Sequence, residues 1–162
     1  MIGFYLKTLN LDNLVFASPD VGGVVRTRNM AKFFNADMVI CDKHRKRANE
    51  IESMSIIGDV SGQDIVLIDD ICDTAGTLAK AASLIMENGA NSVRAVCSHA
   101  VLSGKAYETI ENSALAELIV TDTIPLKQES SKIKVLSTAD LFAKAIANVN
   151  EHGSISDLFR VE

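Results

Sequence analysis

The chain has no tryptophan, and none of its cysteines, Cys41, Cys72 and Cys97, falls in a CxxC pair. An odd count without paired spacing speaks against a disulfide framework and against a thiol redox motif, and a reduced, cytoplasmic setting is expected. No secretory leader is read at the start and no apolar run reaches spanning length, so no membrane partner is expected. Internal repeats, low-complexity tracts and long linkers are all lacking, which sets aside solenoids and disordered arrays. Excess positive charge is lacking too: the formal net charge is −5, which argues against a general nucleic-acid binder.

What remains is 162 residues, 48% of them hydrophobic, enough for one globular domain spanning residues 1–162. A domain of roughly 150 residues hides about 70% of the surface its unfolded chain exposes. Charge is unevenly spread. Lys43, Arg45, Lys46 and Arg47 stand together, whereas Asp69, Asp70 and Asp73 form an acidic knot.

Short apolar runs alternate with helical spacing. Strands are expected over Asn13–Ser18, Ala36–Cys41, Asp64–Ile68, Asn91–Cys97, Glu117–Thr121 and Lys132–Leu136, with an extended ribbon over Glu52–Ile57. Helices are expected over Val21–Phe34, Leu78–Glu87, Ala106–Glu111 and Thr138–Asn150, and a loop over Lys43–Asn49. That alternation predicts an α/β domain with a mostly parallel sheet between helical layers. Ligands of such sheets sit beyond the carboxyl ends of the strands. Asp20–Gly23, Lys43–Arg47, Asp69–Thr77 and Ser98–Gly104 all fall at such ends.

The segment Val66–Thr77 carries the clearest chemistry. A hydrophobic strand runs into adjacent carboxylates, Asp69 and Asp70, expected to reach one ligand edge where the chain turns. Ionised carboxylates only accept hydrogen bonds, so a pair of them suits the two O–H donors of a ribose diol. Thr74, Ala75, Gly76 and Thr77 then open a helix, whose free N–H groups and positive dipole end attract an anion. Gly76 allows close backbone approach and the threonine hydroxyls add donors. Acids for a diol beside a nest for a phosphate describe a sugar phosphate. The plainer alternative is a capped helix after a buried strand, with Asp73 or Thr74 as N-cap. No Gly-Lys-Ser/Thr is present, so this is not a Walker loop, nor is it a dinucleotide fingerprint.

The string DIVLIDDICDTAGT at residues 64–77 resembles the signature shared by phosphoribosyltransferases and ribose-phosphate diphosphokinase. Ala17–Gly23, Ile57–Val60, Ser98–Gly104, Ile110–Ser113 and Thr121–Pro125 narrow the resemblance to the latter family, the PRPP synthetases. The similarity runs through nearly the whole chain and covers only the carboxyl half of the usual enzyme. It implies a type I phosphoribosyltransferase-like three-layer fold and transfer of diphosphate from ATP to ribose 5-phosphate. It implies that Asp69, Asp70, Asp73, Thr74, Ala75, Gly76 and Thr77 hold ribose 5-phosphate. Asp20, Val21, Gly22 and Gly23 would form the pyrophosphate loop, with Asp20 helping to bind Mg²⁺. Lys43 and Arg45 match catalytic cations of a loop that closes over the reacting phosphates. His44 and Lys46 depart from that loop's usual Arg and Pro. Ser154, Ser156 and Phe159 match part of a regulatory phosphate or ADP site. His99, His152 and Cys72 are read as a hydrogen-bonded structural residue, a surface residue and a buried filler.

The family assembles as hexamers, so a homo-oligomer, or pairing with an amino-terminal half, is expected. That half, which supplies most ATP contacts and a metal-binding histidine in the family, is not found here, so weak or no synthetase activity is expected of this chain alone. Two alternatives stay open. One is a nucleobase phosphoribosyltransferase of salvage, although no hood segment for a base is seen. The other is a non-catalytic, synthetase-associated regulatory subunit.

Overall fold

The strand Asp64–Cys72 explains the layout of the molecule. Its residues alternate between two separate cores: Ile65 and Leu67 face one, Val66 and Ile68 the other, and all four are buried. A strand apolar on both sides must be covered on both sides. Each such side chain contributes about 1.5–3 kcal/mol by leaving water.

The computed structural model describes residues 1–44 and 53–159. In chain order the elements are α1 (Ile2–Thr8), β1 (Leu14–Ser18), α2 (Val24–Phe34), β2 (Asp37–His44), β3 (Ser53–Ile57), β4 (Asp64–Cys72), α3 (Gly76–Glu87), β5 (Ser92–Ala100), α4 (Ala106–Glu111), β6 (Glu117–Thr121), β7 (Ile133–Leu136), α5 (Ala139–Asn150) and a closing 3₁₀ turn (Ser156–Phe159). The strands form one seven-stranded sheet in the order β3-β2-β1-β4-β5-β6-β7. Among the described residues only the β2–β3 pairing is antiparallel. The expected mostly parallel α/β architecture is therefore present.

From β1 the chain moves one way to β2, and from β4 the other way to β5 and β6. Right-handed crossovers then put the connecting helices on opposite faces. Leu78, Ala81, Ala82 and Ile85 of α3 and Ala106, Tyr107 and Ile110 of α4 enter one core; Leu6 of α1 and Ala31 of α2 enter the other. The reversal falls between β1 and β4, which pair in parallel from Leu14↔Asp64 to Ala17↔Leu67. Their carboxyl ends thus open side by side on a crevice at the switch point, where ligands of such sheets bind.

The structure corrects several expected boundaries. β4 does not stop at Ile68: its ladder with β5 continues to Cys72↔Ala100, so both acids lie within the strand. Lys43 and His44 close β2 instead of opening a loop, because the antiparallel partner β3 pairs with them (Lys43↔Met54, His44↔Ser53). Neither Asp73 nor Thr74 caps α3. The N-cap is Ala75, left-handed at φ 61°, with no side-chain cap bond. No helix among the described residues is long and apolar enough to cross a membrane.

Candidate functional site

Two loops meet at the switch point. The first leaves β1 through Asp20–Gly23. Ser18 Oγ donates to the Asp20 carbonyl at 2.6 Å, and the Gly23 amide donates to Asp20 Oδ1 at 2.9 Å. A Cβ on Gly23 would stand 2.7 Å from Ser18 Oγ and 3.3 Å from an Arg26 guanidinium nitrogen, so the backbone passes here only because the residue is glycine. Asp20, Val21 and Gly22 are exposed.

The second loop carries the acids. Asp69 is mostly shielded and Asp70 more open, with side chains 21% and 54% exposed. They leave the strand on opposite sides, yet one residue reaches both. Arg26, from the first turn of α2, places Nη1 3.1 Å from Asp69 Oδ1 and Nη2 2.5 Å from Asp70 Oδ2. Two carboxylates touched by a single planar fork converge on one small volume, without a turn of the chain between them.

The two acids titrate apart. Burial pushes the Asp69 carboxyl up from its ordinary 3.8 to about 6, with the Asp70 charge adding to the rise. Desolvation opposes ionisation of Asp70 as well, but its hydrogen bond with Asp69 and the Arg26 charge outweigh that and hold it low.

Asp73 is fixed from the next loop. Ser103 Oγ donates to Asp73 Oδ1, the Ser103 amide donates to the Asp73 carbonyl at 3.0 Å, and the Leu102 amide to the Cys72 carbonyl at 3.1 Å. Ser98–Gly104 thus braces the acid loop from behind. Beyond Asp73, the start of α3 borders a pocket of about 210 Å³ lined by Lys43, Met54, Thr74, Gly76, Thr77 and Lys80. A Cβ on Gly76 would meet nothing nearer than Thr74 Oγ1 at 3.8 Å. The protein's own packing does not demand glycine there. The unpaired N–H groups of a helix's first turn face outward at such a start. A larger groove of about 510 Å³ runs between α3 and α4, away from the acids, and Lys80 borders both.

Asp20, Gly22, Gly23, Asp69, Asp70 and Asp73 are thus gathered around one crevice, with Thr74, Ala75, Gly76, Thr77 and Lys43 at its α3 side. Arg45 lies outside the described residues. Ser154 and Ser156 are exposed and bonded to each other, the Ser156 amide donating to Ser154 Oγ at 3.1 Å, just past α5 in the chain. Phe159 closes the 3₁₀ turn there. His99 bonds Thr123 through Nδ1 at 2.9 Å, His152 is exposed, and Cys72 is buried. Burial pushes the thiols of Cys41 and Cys72 up to about 11 and that of Cys97 to about 12.

Two residues of this region were not singled out in the sequence. Arg26 sits in an ordinary helical stretch, and only its distance past the glycine pair, which aims it back at a neighbouring strand end, could have marked it. Lys80 is one turn inside an amphipathic helix, where a lysine is unremarkable.

The fold and crevice define a phosphoribosyltransferase-like α/β domain. A solved purine phosphoribosyltransferase from Pyrococcus horikoshii shares this fold at 13% identity (TM-score 0.51, covering 83% of this chain and 80% of that one). Residues 29–160 match the family model of the phosphoribosyl synthetase-associated domain, and the chain belongs to that family. It is 53% identical over 155 residues to a ribose-phosphate pyrophosphokinase of Campylobacter jejuni and 54% identical to one of Wolinella succinogenes, covering 96% of this chain and 50% of each relative. The crystal structure of phosphoribosylpyrophosphate synthetase from Mycobacterium smegmatis superposes with a TM-score of 0.86 at 33% identity, over 94% of this chain and 50% of that one. The chain spans about half the length of the curated relatives it matches.

Proposed function

We propose that this chain is the ribose 5-phosphate and PRPP-binding half of a ribose-phosphate diphosphokinase, equivalent to its carboxyl-terminal domain, and that it serves nucleotide biosynthesis. The observation that carries this is the convergence of Asp69 and Asp70 on one planar fork beside an open helix start. In this reading the two carboxylates accept the diol O–H groups, Asp73 sets the loop, and the amides and hydroxyls of Thr74–Thr77 take the 5-phosphate. The space left over Gly76 is where the phosphate enters. Relatives of the same family carry the name of the enzyme that makes PRPP, which fits a sugar phosphate and ATP as substrates.

Asp20–Gly23 is the diphosphate cradle in this reading. Among the described residues no group of three or more His, Cys, Asp or Glu side chains could cage a metal. Mg²⁺ takes one or two carboxylates and completes its shell with water and phosphate oxygens. Asp20 is the ligand proposed, and bound Mg²⁺ would neutralise phosphate charge there. Lys43, at the rim of the pocket, adds a cation where charge grows on phosphate oxygens during transfer, and Arg45 is proposed to add a second.

ATP contacts, and with them full synthetase activity, would come from the other half of the enzyme. The exposed apolar face of α5 (Leu141, Phe142, Ile146, Val149) is the surface proposed for that half or for further copies of the chain, the Ser154–Phe159 stretch lying beside it. A reducing cytoplasm would keep the three buried thiols free. A non-catalytic synthetase-associated subunit is the second reading, favoured by the description of the matching family model.

Calorimetry with ribose 5-phosphate and Mg²⁺ tests the proposal. The intact chain should bind, and Asp69→Ala/Asp70→Ala should weaken binding by about 100-fold or more, as expected for loss of two charge-assisted hydrogen bonds of roughly 1.5–3 kcal/mol each. Equal affinity in both would defeat it. Diphosphate transfer on adding back an amino-terminal half separates the enzyme from the regulatory subunit.

A further inference from the structure

Arg26 holds both acids of the proposed sugar subsite and lies beside the loop of the proposed diphosphate subsite. Its fork holds Asp69 and Asp70, and the same guanidinium lies 3.3 Å from where a Gly23 side chain would begin. The glycine is small enough to let it lie against the Asp20–Gly23 loop. Two of its five N–H groups are engaged by carboxylate oxygens that a diol would also use.

We propose that Arg26 is a shared switch that couples sugar binding to diphosphate binding. This rests on the reading of Asp69 and Asp70 as the diol grip. When two hydroxyls donate to the carboxylates, the acids no longer need the guanidinium as their donor. The exchange frees the fork to turn toward the adjoining loop. There its planar pair of N–H groups meets phosphate oxygens in bidentate fashion. The reverse order works as well: a diphosphate that recruits Arg26 uncovers the acids for the sugar. Coupling between two sites is reciprocal, so each ligand tightens the other by the same factor. Lysine cannot take this role, because a point charge does not span two carboxylates.

The experiment is calorimetric titration of the intact chain with ribose 5-phosphate, with and without inorganic pyrophosphate and Mg²⁺, and the reverse titration. The wild type should show each ligand tightening the other by about tenfold, some 1.4 kcal/mol of coupling. Arg26→Gln should reduce the factor below about twofold while still binding ribose 5-phosphate alone, and Arg26→Lys should do the same with charge retained. Circular dichroism reports whether each variant is folded, and the lysine variant serves if the glutamine one is not. A wild type without coupling, or variants that lose both affinities equally and keep the factor, would overturn the switch. A wild type that binds pyrophosphate but no ribose 5-phosphate would overturn the diol grip itself, and the switch with it.

Discussion

The centre of the sheet and its far edge expose opposite kinds of surface. At the carboxyl ends of β1 and β4 the buried strands surface as charge: Asp69 and Asp70, both hydrogen-bonded to Arg26, and Asp20, bonded to the Gly23 amide beside them. At the edge, α5 has no buried residue and leaves Phe142 at 55%, Ile146 at 68% and Val149 at 61% exposure. Concave, cross-linked charge suits a small polar ligand, whereas a bare apolar helix face suits another protein surface. The centre carries stability and chemistry together; the edge carries neither until something covers it.

The first way to break that contrast is stability. Leu67, fully buried in β4, should cost about 2–5 kcal/mol as Leu67→Ala, while Ile146→Ala on α5 should stay within about 0.5 kcal/mol. Urea denaturation of the isolated chain measures both. A comparable loss at Ile146 would mean that α5 is already covered in solution.

The second concerns protons at the centre. Asp69 titrates near 6 in the folded chain against an ordinary 3.8, so the folded state holds a proton that the unfolded state has released. Its contribution to stability is therefore full at low pH and declines as pH rises from 3.8 through about 6. Asp70, held low by Asp69 and Arg26 against its desolvation, works in the opposite sense and loses its contribution as pH falls. Ligand binding follows ionised Asp69. Affinity for ribose 5-phosphate should fall by up to about tenfold per unit as pH drops below 6 from Asp69 alone, and Asp69→Asn should bind weakly and keep only the slope that the sugar phosphate's own second ionisation, at about 6, supplies. Calorimetry at pH 5, 6 and 7 checks it; an affinity that rises on acidification would contradict the ionised grip.

The uneven legibility of the sequence has the same origin as the contrast. β4 and its acids were readable because an apolar run, a pair of carboxylates and a glycine-bearing helix start occur in direct succession. Its true end at Cys72 was not, because the ladder with β5, not its own residues, sets the length. The same holds for Lys43 and His44, drawn into β2 by β3. α1 escaped notice because a seven-residue helix is marginal alone. It stands on Leu6 in the core and on Tyr5, whose hydroxyl donates to Glu117 at 2.7 Å from a residue more than a hundred positions away. Arg26 was hard to single out for a similar reason: its partners lie on another strand, and only its spacing past the glycine pair hints at where it points.

The third test moves to the edge. Phe142→Glu/Ile146→Glu places charge on the bare face without touching a buried residue, so the fold should survive. Sedimentation should show the wild type associating at concentrations where the variant is monomeric. A wild type that stays monomeric throughout would instead point to a missing half as the cover.

The smallest effect should come from the brace behind the acid loop. Ser103→Ala removes the hydroxyl that donates to Asp73 but keeps the backbone bonds from Leu102 and Ser103 to Cys72 and Asp73. One partly exposed hydrogen bond to a carboxylate should be worth about 1 kcal/mol in urea denaturation. If Asp73 only anchors the loop, ribose 5-phosphate affinity should fall by less than about threefold, because the amides at the start of α3 are held by the helix itself. A loss as large as that expected for Asp69→Ala/Asp70→Ala would move Asp73 from the frame of the crevice into direct contact with the sugar. The sharp division between a braced loop and a binding edge would then disappear.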